Sequence, residues 1–163
     1  MKRQKKKFEK PLRPWDRVRI ESDKKLVQDY GLRRKKEIWR AENIVRNYRR
    51  LARNLAARRD KEKEKILLDK LFKMGLIAKD ASLDNVLALT VEKILERRLQ
   101  TFVFKKGLAS TPRQARQFIV HGHITLDGRR IKWPSVLIQI DEENKIGIHG
   151  KSKINTGVKV EKK

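Results

Sequence analysis

The sequence contains no cysteine, which excludes disulfides, thiolate zinc sites and thiol catalysis in one step. Histidine is nearly as scarce. His121, His123 and His149 are too few and too poorly spaced for an ordinary zinc site. The chain reads as intracellular and metal-free, with no cofactor expected. Long apolar runs and lipidation motifs are also missing, so a membrane partner is not expected. The opening Met1-Lys2-Arg3-Gln4-Lys5-Lys6-Lys7 lacks the apolar stretch of a signal peptide. Hydrophobic residues make up only 38% of the 163, against 39% charged, which argues against a single large core. Acidic residues are the last shortage. Twenty Asp and Glu face 44 Lys and Arg, a net charge of +24. Such self-repulsion disfavours a compact state unless a polyanion offsets it, and nucleic acid is the leading candidate.

What is present divides into segments. Six of the first ten residues are basic, and residues 1–14 read as an extended arm held open by Pro11 and Pro14. Asp16 is placed to cap a helix running to Tyr30, with Gly31 as its stop and a thin apolar stripe of Ile20, Leu26, Val27 and Tyr30. A longer helix is predicted over about Lys35–Ala57. Its apolar positions Ile38, Trp39, Ile44, Val45, Tyr48, Leu51 and Leu55 recur at three- and four-residue spacing. Arg40, Arg46, Arg49, Arg50 and Arg53 occupy much of its remaining surface and are candidate phosphate contacts; a merely solvated face is the alternative. Residues 1–59 hold 22 basic against 7 acidic side chains, an excess beyond what solubility needs. Short helices follow over Ile66–Met74, stopped by Gly75, and over Leu83–Leu89, begun by Ser82. None of these carries chemistry.

From Val91 the grammar changes. A helix capped by Thr90 is predicted to run to about Lys106 and break at Gly107. A second, capped by Ser110 or Thr111 with Pro112 in its first turn, runs to Val120 and ends near Gly122. Ala115, Phe118 and Ile119 should face inward; Arg113, Gln114, Arg116 and Gln117 should face out, toward phosphate oxygens and sugar hydroxyls. Asp127-Gly128 between Ile124-Thr125-Leu126 and Arg129-Arg130-Ile131 signals a tight hairpin. Trp133-Pro134-Ser135 turns the chain into a strand over Val136–Ile140, and Gly147 lies in a final short one. Between Arg97 and Leu126 stand six basic residues and no acidic one, a run read as phosphate contact, with a solvated face as the alternative. Residues 91–149 thus form a module of two helices and a small curled antiparallel sheet, preceded by basic helices (15–90) and followed by a basic tail (150–163). The fold class is α+β.

The set Arg98-Leu99-Gln100, Lys106-Gly107-Leu108-Ala109, Arg113-Gln114-Ala115-Arg116-Gln117, His121-Gly122-His123-Ile124, Asp127-Gly128 and Pro134-Ser135 resembles the small RNA-binding domain named after ribosomal protein four of the small subunit. Upstream, Pro14-Trp15, Tyr30-Gly31-Leu32, Glu37-Ile38-Trp39-Arg40-Ala41-Glu42 and Leu95-Glu96-Arg97-Arg98-Leu99-Gln100-Thr101 resemble the archaeal and eukaryotic form of that protein family. The modest length and absent cysteines favour an archaeal version. The resemblance implies a structural constituent of the small ribosomal subunit that binds its rRNA early in assembly. It would do so at a junction of several helices in the 5′ region, supporting the subunit body near the messenger entry channel. Cytoplasmic, ribosome-bound residence and neighbouring small-subunit proteins as partners follow. Carried over by position, Arg113, Gln114, Arg116, Gln117, His121 and His123 form the main RNA surface, flanked by Arg98, Lys105, Lys106 and Arg129.

Other readings are weaker. His121 and His123 lack carboxylate support for metal or base chemistry and are read as hydrogen-bonding to RNA or backbone. Trp133 and Phe118 are read as core, with base stacking as the alternative; Trp15 and Trp39 are read as apolar anchors. Asp141-Glu142-Glu143 reads as a turn, because a paired-carboxylate site needs convergent partners. Pseudouridine synthases and tyrosyl-tRNA synthetases append this module to a catalytic domain of well over a hundred residues, but the basic, mainly helical segment of about 90 residues that precedes it here carries no nucleotide loop or nucleophile motif. An enzyme and a small-molecule substrate are therefore not expected. An assembly or pre-rRNA processing factor of the same family is the alternative.

Overall fold

The computed structural model describes residues 6–150 and residue 152. They form two compact units that divide between Leu95 and Glu96. The sequence had placed the boundary at Val91. The tail beyond Gly150, Ser152 apart, and the first five residues of the arm lie outside the described residues.

In the first unit, helix α1 (Arg17–Asp29) opens as expected, with the Asp16 carboxylate accepting from the Val18 N–H. Its stripe of Ile20, Leu26, Val27 and Tyr30 is half-buried, in keeping with its thinness. Helix α2 (Lys35–Arg58) is the spine against which α1, α3 (Lys61–Lys73) and α4 (Leu83–Leu87) pack. Its buried seam is Ile38, Ala41, Val45 and Ala52. The two alanines stand where larger apolar side chains would hold the neighbouring helices away, whereas Leu51, counted in the apolar stripe, is exposed. Helix α3 starts five residues earlier than its apolar pattern indicates. The alternating Lys61–Lys65 segment consists of good helix formers. Glu62 and Glu64 in the first turn, and Lys70 and Lys73 in the last, complement the helix dipole.

The expected single helix from Val91 to Lys106 is two helices, α5 (Val91–Glu96) and α6 (Leu99–Lys105). No glycine or proline breaks it; a non-local pairing does. Arg98 takes an extended conformation and bridges antiparallel to Leu137. The Leu99 N–H donates to the Val136 carbonyl and the Ile138 N–H to the Arg97 carbonyl, both at 2.8 Å. The same pairing accounts for a second departure. Val136–Ile140 is not a strand of the sheet, because its hydrogen bonds go to this break.

The second unit continues with α7 (Pro112–Val120), β1 (Ile124–Leu126), β2 (Arg129–Arg130), a 3-10 helix (Ile140–Lys145) and β3 (Ile146–Ile148). The sheet order is β2-β1-β3, antiparallel throughout. Asp127 and Gly128 both have positive φ, the signature of the two-residue type I′ turn expected there. Leu99, Val103, Ala109, Ala115, Ile119, Ile124, Leu126, Ile138 and Ile146 form the core, with Phe118 half-buried at its edge.

Candidate nucleic-acid interface

Helix α7 is fixed at both ends before any partner arrives. At its start the Thr111 hydroxyl accepts from the Gln114 N–H at 3.2 Å, and Gln114 Oε1 accepts from the Ser110 N–H at 2.8 Å and from the Ser110 hydroxyl. The first bond satisfies an N–H that the first turn leaves open, and the other two tie the Gln114 side chain back to the residue before the cap. Gln114, expected on the RNA face, is therefore committed to capping. At the far end Gly122 has φ +74°, and the His123 N–H reaches back to the Phe118 carbonyl at 2.9 Å.

Ala115 and Ile119 are buried beneath the helix. Arg113, Gln117 and Val120 are exposed, and Arg116 is half-buried with Nη1 3.5 Å from Gln100 Oε1. Gln100 is itself buried and donates to the Pro112 carbonyl at 2.9 Å. Arg116 was expected to be fully exposed; it leans on a buried glutamine that orients it. Spacings of three and four put Arg113, Arg116, Gln117 and Val120 on one face.

The turn after α7 carries His121, exposed, and His123, half-buried, with ring centroids 6.3 Å apart. His123 stands edge-on to Phe118, and its Nδ1 lies 3.0 Å from the Ser152 hydroxyl. Among the described residues no group of three or more His, Asp or Glu is arranged to hold a metal ion.

The flanking cations divide. Arg129 is exposed. Lys105 lies 3.6 Å from Glu96 with both side chains about half exposed, a pairing too wet to hold it. Lys106 bonds the Glu143 carbonyl. Arg98, placed on the RNA surface from the sequence, is only 5% exposed and belongs to the break between α5 and α6. Arg97, part of the acid-free basic run, is also turned inward. It donates to the Ile138 carbonyl at 3.2 and 2.7 Å, pairs with Glu143 at 2.5 Å and lies over the Phe102 ring. The acidic trio is thus more than a turn: it forms a 3-10 helix whose Glu143 receives Arg97.

Two cations were missed. Arg130 reaches His149 Nδ1 at 3.4 Å, and Lys132 runs alongside Gly122, 3.5 Å from where a Cβ would stand. The Arg129-Arg130-Ile131-Lys132 run after the hairpin signal held this information. Trp133 is 69% exposed beside Lys132, so the core reading of this residue fails. Trp15 is 75% exposed, which does not fit the anchor read from the sequence; Trp39 packs against the Phe8 ring.

On α2, Arg46, Arg50 and Arg53 are exposed and Arg49 half-buried. Spacings of three, four and seven gather these four on one face, while Arg40 lies about 120° around the helix and does not join them.

The pattern of the ribosomal protein S4/S9 N-terminal domain matches residues 1–96, and that of the S4 domain matches residues 97–144. The chain belongs to the ribosomal S4/S9 family. The family division falls one residue from the structural one. Among its relatives is the small ribosomal subunit protein uS4 of Korarchaeum cryptofilum, 48% identical over 148 residues, covering 90% of this chain and 89% of the relative. The protein of the same name from Saccharolobus islandicus strain L.S.2.15 is 48% identical over 149 residues, covering 89% and 82%. Both relatives are archaeal, in agreement with the resemblance read from the sequence. The family is non-enzymatic, and so is this member. Among the described residues no helix is long and apolar enough to cross a membrane.

Proposed function

We propose that the chain is a structural constituent of the small ribosomal subunit, cytoplasmic and ribosome-bound, with rRNA and neighbouring small-subunit proteins as its partners. It binds that rRNA early in assembly, at a multi-helix junction in the 5′ region, and supports the subunit body near the messenger entry channel. The observation that carries this reading is the α7 face. Arg113, Arg116 and Gln117 stand on a helix fixed at both ends, with Arg129, Arg130 and Lys132 on the adjoining hairpin and no acidic residue from Arg97 to Leu126. Family membership and the +24 charge support it. A rigid basic face reads the backbone and shape of folded RNA in preference to base sequence.

The test is binding of the full chain to a small-subunit rRNA transcript across a potassium chloride series. Arg113→Ala with Arg116→Ala should weaken binding and flatten the salt dependence by roughly one unit of slope per lost phosphate contact. Arg113→Ala alone, at an exposed position, controls for any loss of packing from Arg116. Unchanged affinity and slope in both variants would place the RNA elsewhere.

A further inference from the structure

A groove of about 280 Å³ in the first unit concentrates positive charge beyond what helix packing calls for. Arg19 of α1 and Arg46, Arg49 and Arg53 of α2 line it, with Glu42 as its one carboxylate and buried Val45 beneath. The guanidinium groups are held in place. Arg19 Nη2 donates to both Glu42 oxygens at 2.8 Å, and Arg49 Nη2 donates to the Leu89 carbonyl at 2.6 Å. Arg53 Nε reaches the Arg49 carbonyl at 3.4 Å, and Arg46 pairs with exposed Glu9.

A carbonyl positions a guanidinium without neutralising it. Glu42 offsets Arg19, and Glu9 offsets Arg46 only weakly because both groups are wet. Arg49 and Arg53, four residues apart on one helix face, repel each other, with no carboxylate on either among the described residues. The Nε–H groups of Arg19 and Arg49 are enclosed without an acceptor there. A single anion between the forks offsets the like-charge repulsion of Arg49 and Arg53. Planar guanidinium forks match phosphate oxygens.

We propose that this groove seats one backbone phosphate of the bound RNA, gripped by Arg49 and Arg53, with Arg19 and Arg46 as outer charges and Glu42 holding the Arg19 fork in place. This rests on the rRNA-binding reading and adds to it a discrete phosphate seat remote in sequence from α7. The test uses the full chain and the same rRNA transcript. Arg53→Gln, at an exposed position, and Arg49→Gln with Arg53→Gln should each weaken binding, the pair lowering the salt slope by about one unit. The corresponding double lysine variant should keep the slope while recovering only part of the affinity, because the charge stays and the fork is lost.

An unchanged slope in both glutamine variants overturns the seat, as does full recovery by lysine. Titration of inorganic phosphate against the arginine Nε–H resonances separates sources: movement of the Arg49 signal with no change in RNA slope would make free phosphate the occupant and refute the RNA assignment. Wild-type protein without salt-dependent rRNA binding sinks the proposed function instead. A slope lost on changing Arg113 and Arg116 but kept in the groove variants sinks the seat alone.

Discussion

Arg97 is the place where charge counting and structure part, and replacing it by Met separates the two. Its guanidinium makes two bonds to the Ile138 carbonyl, an ion pair with Glu143 and a cation–π contact with Phe102 at 4.8 Å, with the side chain 12% exposed. Hydrogen bonds to charged groups contribute about 1.5–3 kcal/mol each, and removing one partner of a buried pair costs about 3–5 kcal/mol because the other charge is left behind. Glu143 is 32% exposed and regains water in the variant, so the lower end applies. A loss of about 3 kcal/mol follows for the second unit, which is roughly a hundredfold faster amide exchange at core positions such as Ile119 and Ile124. Native-state hydrogen exchange on the full chain measures this. The salt slope of rRNA binding should meanwhile be unchanged under conditions where the variant stays folded, since the inward-facing guanidinium touches no phosphate. Exchange accelerated less than about fivefold, or a slope reduced by a full unit, would refute the reasoning and return Arg97 to the RNA surface.

Gly122→Ala should destabilise the second unit by about 1–2 kcal/mol through its left-handed backbone, φ +74°, with Gly122→Asn costing less; thermal melts that fail to rank the two in this order would contradict it. Thr111→Ala should cost about 1 kcal/mol by leaving the Gln114 N–H without its cap, read in the same melts. Burial raises the Tyr48 hydroxyl above its ordinary 10.0, with Met74 Sδ at 3.8 Å as its contact. The folded state therefore holds that proton more tightly, and the associated stability is present below pH 10 and lost as pH rises through the raised value. Tyr48→Phe should reduce the alkaline loss of stability seen by urea unfolding; an identical pH profile would show that Tyr48 takes no part.

What was legible was local. The stops at Gly31, Gly75, Gly107 and Gly122, the Asp16 cap and the Asp127-Gly128 hairpin each depend on a few neighbouring residues, and each stands where the sequence places it. The break at Arg97-Arg98 was not legible, because nothing in that dipeptide stops a helix; a segment some forty residues later does. The same non-local pairing buried Arg98, and Glu143 drew Arg97 inward, so two of the six cations in the acid-free run serve the fold. The outward placement of Arg113 and Gln117 on α7 was legible because helical period sets it, and sequence reveals that period. Gln114 was misread because a glutamine three residues past a cap serves the cap or the surface equally well. The arginine groove was half visible. Arg46, Arg49 and Arg53 share a face by spacing, but Arg19 and Glu42 meet only once α1 lies against α2.

Permanent residence in the small subunit is tested most directly by sedimentation of lysate through a sucrose gradient, blotted for this chain with and without a high-salt wash. Salt-resistant migration with mature small subunits and translating ribosomes is the predicted result. Confinement to precursor particles, or absence from ribosomal fractions, would contradict it.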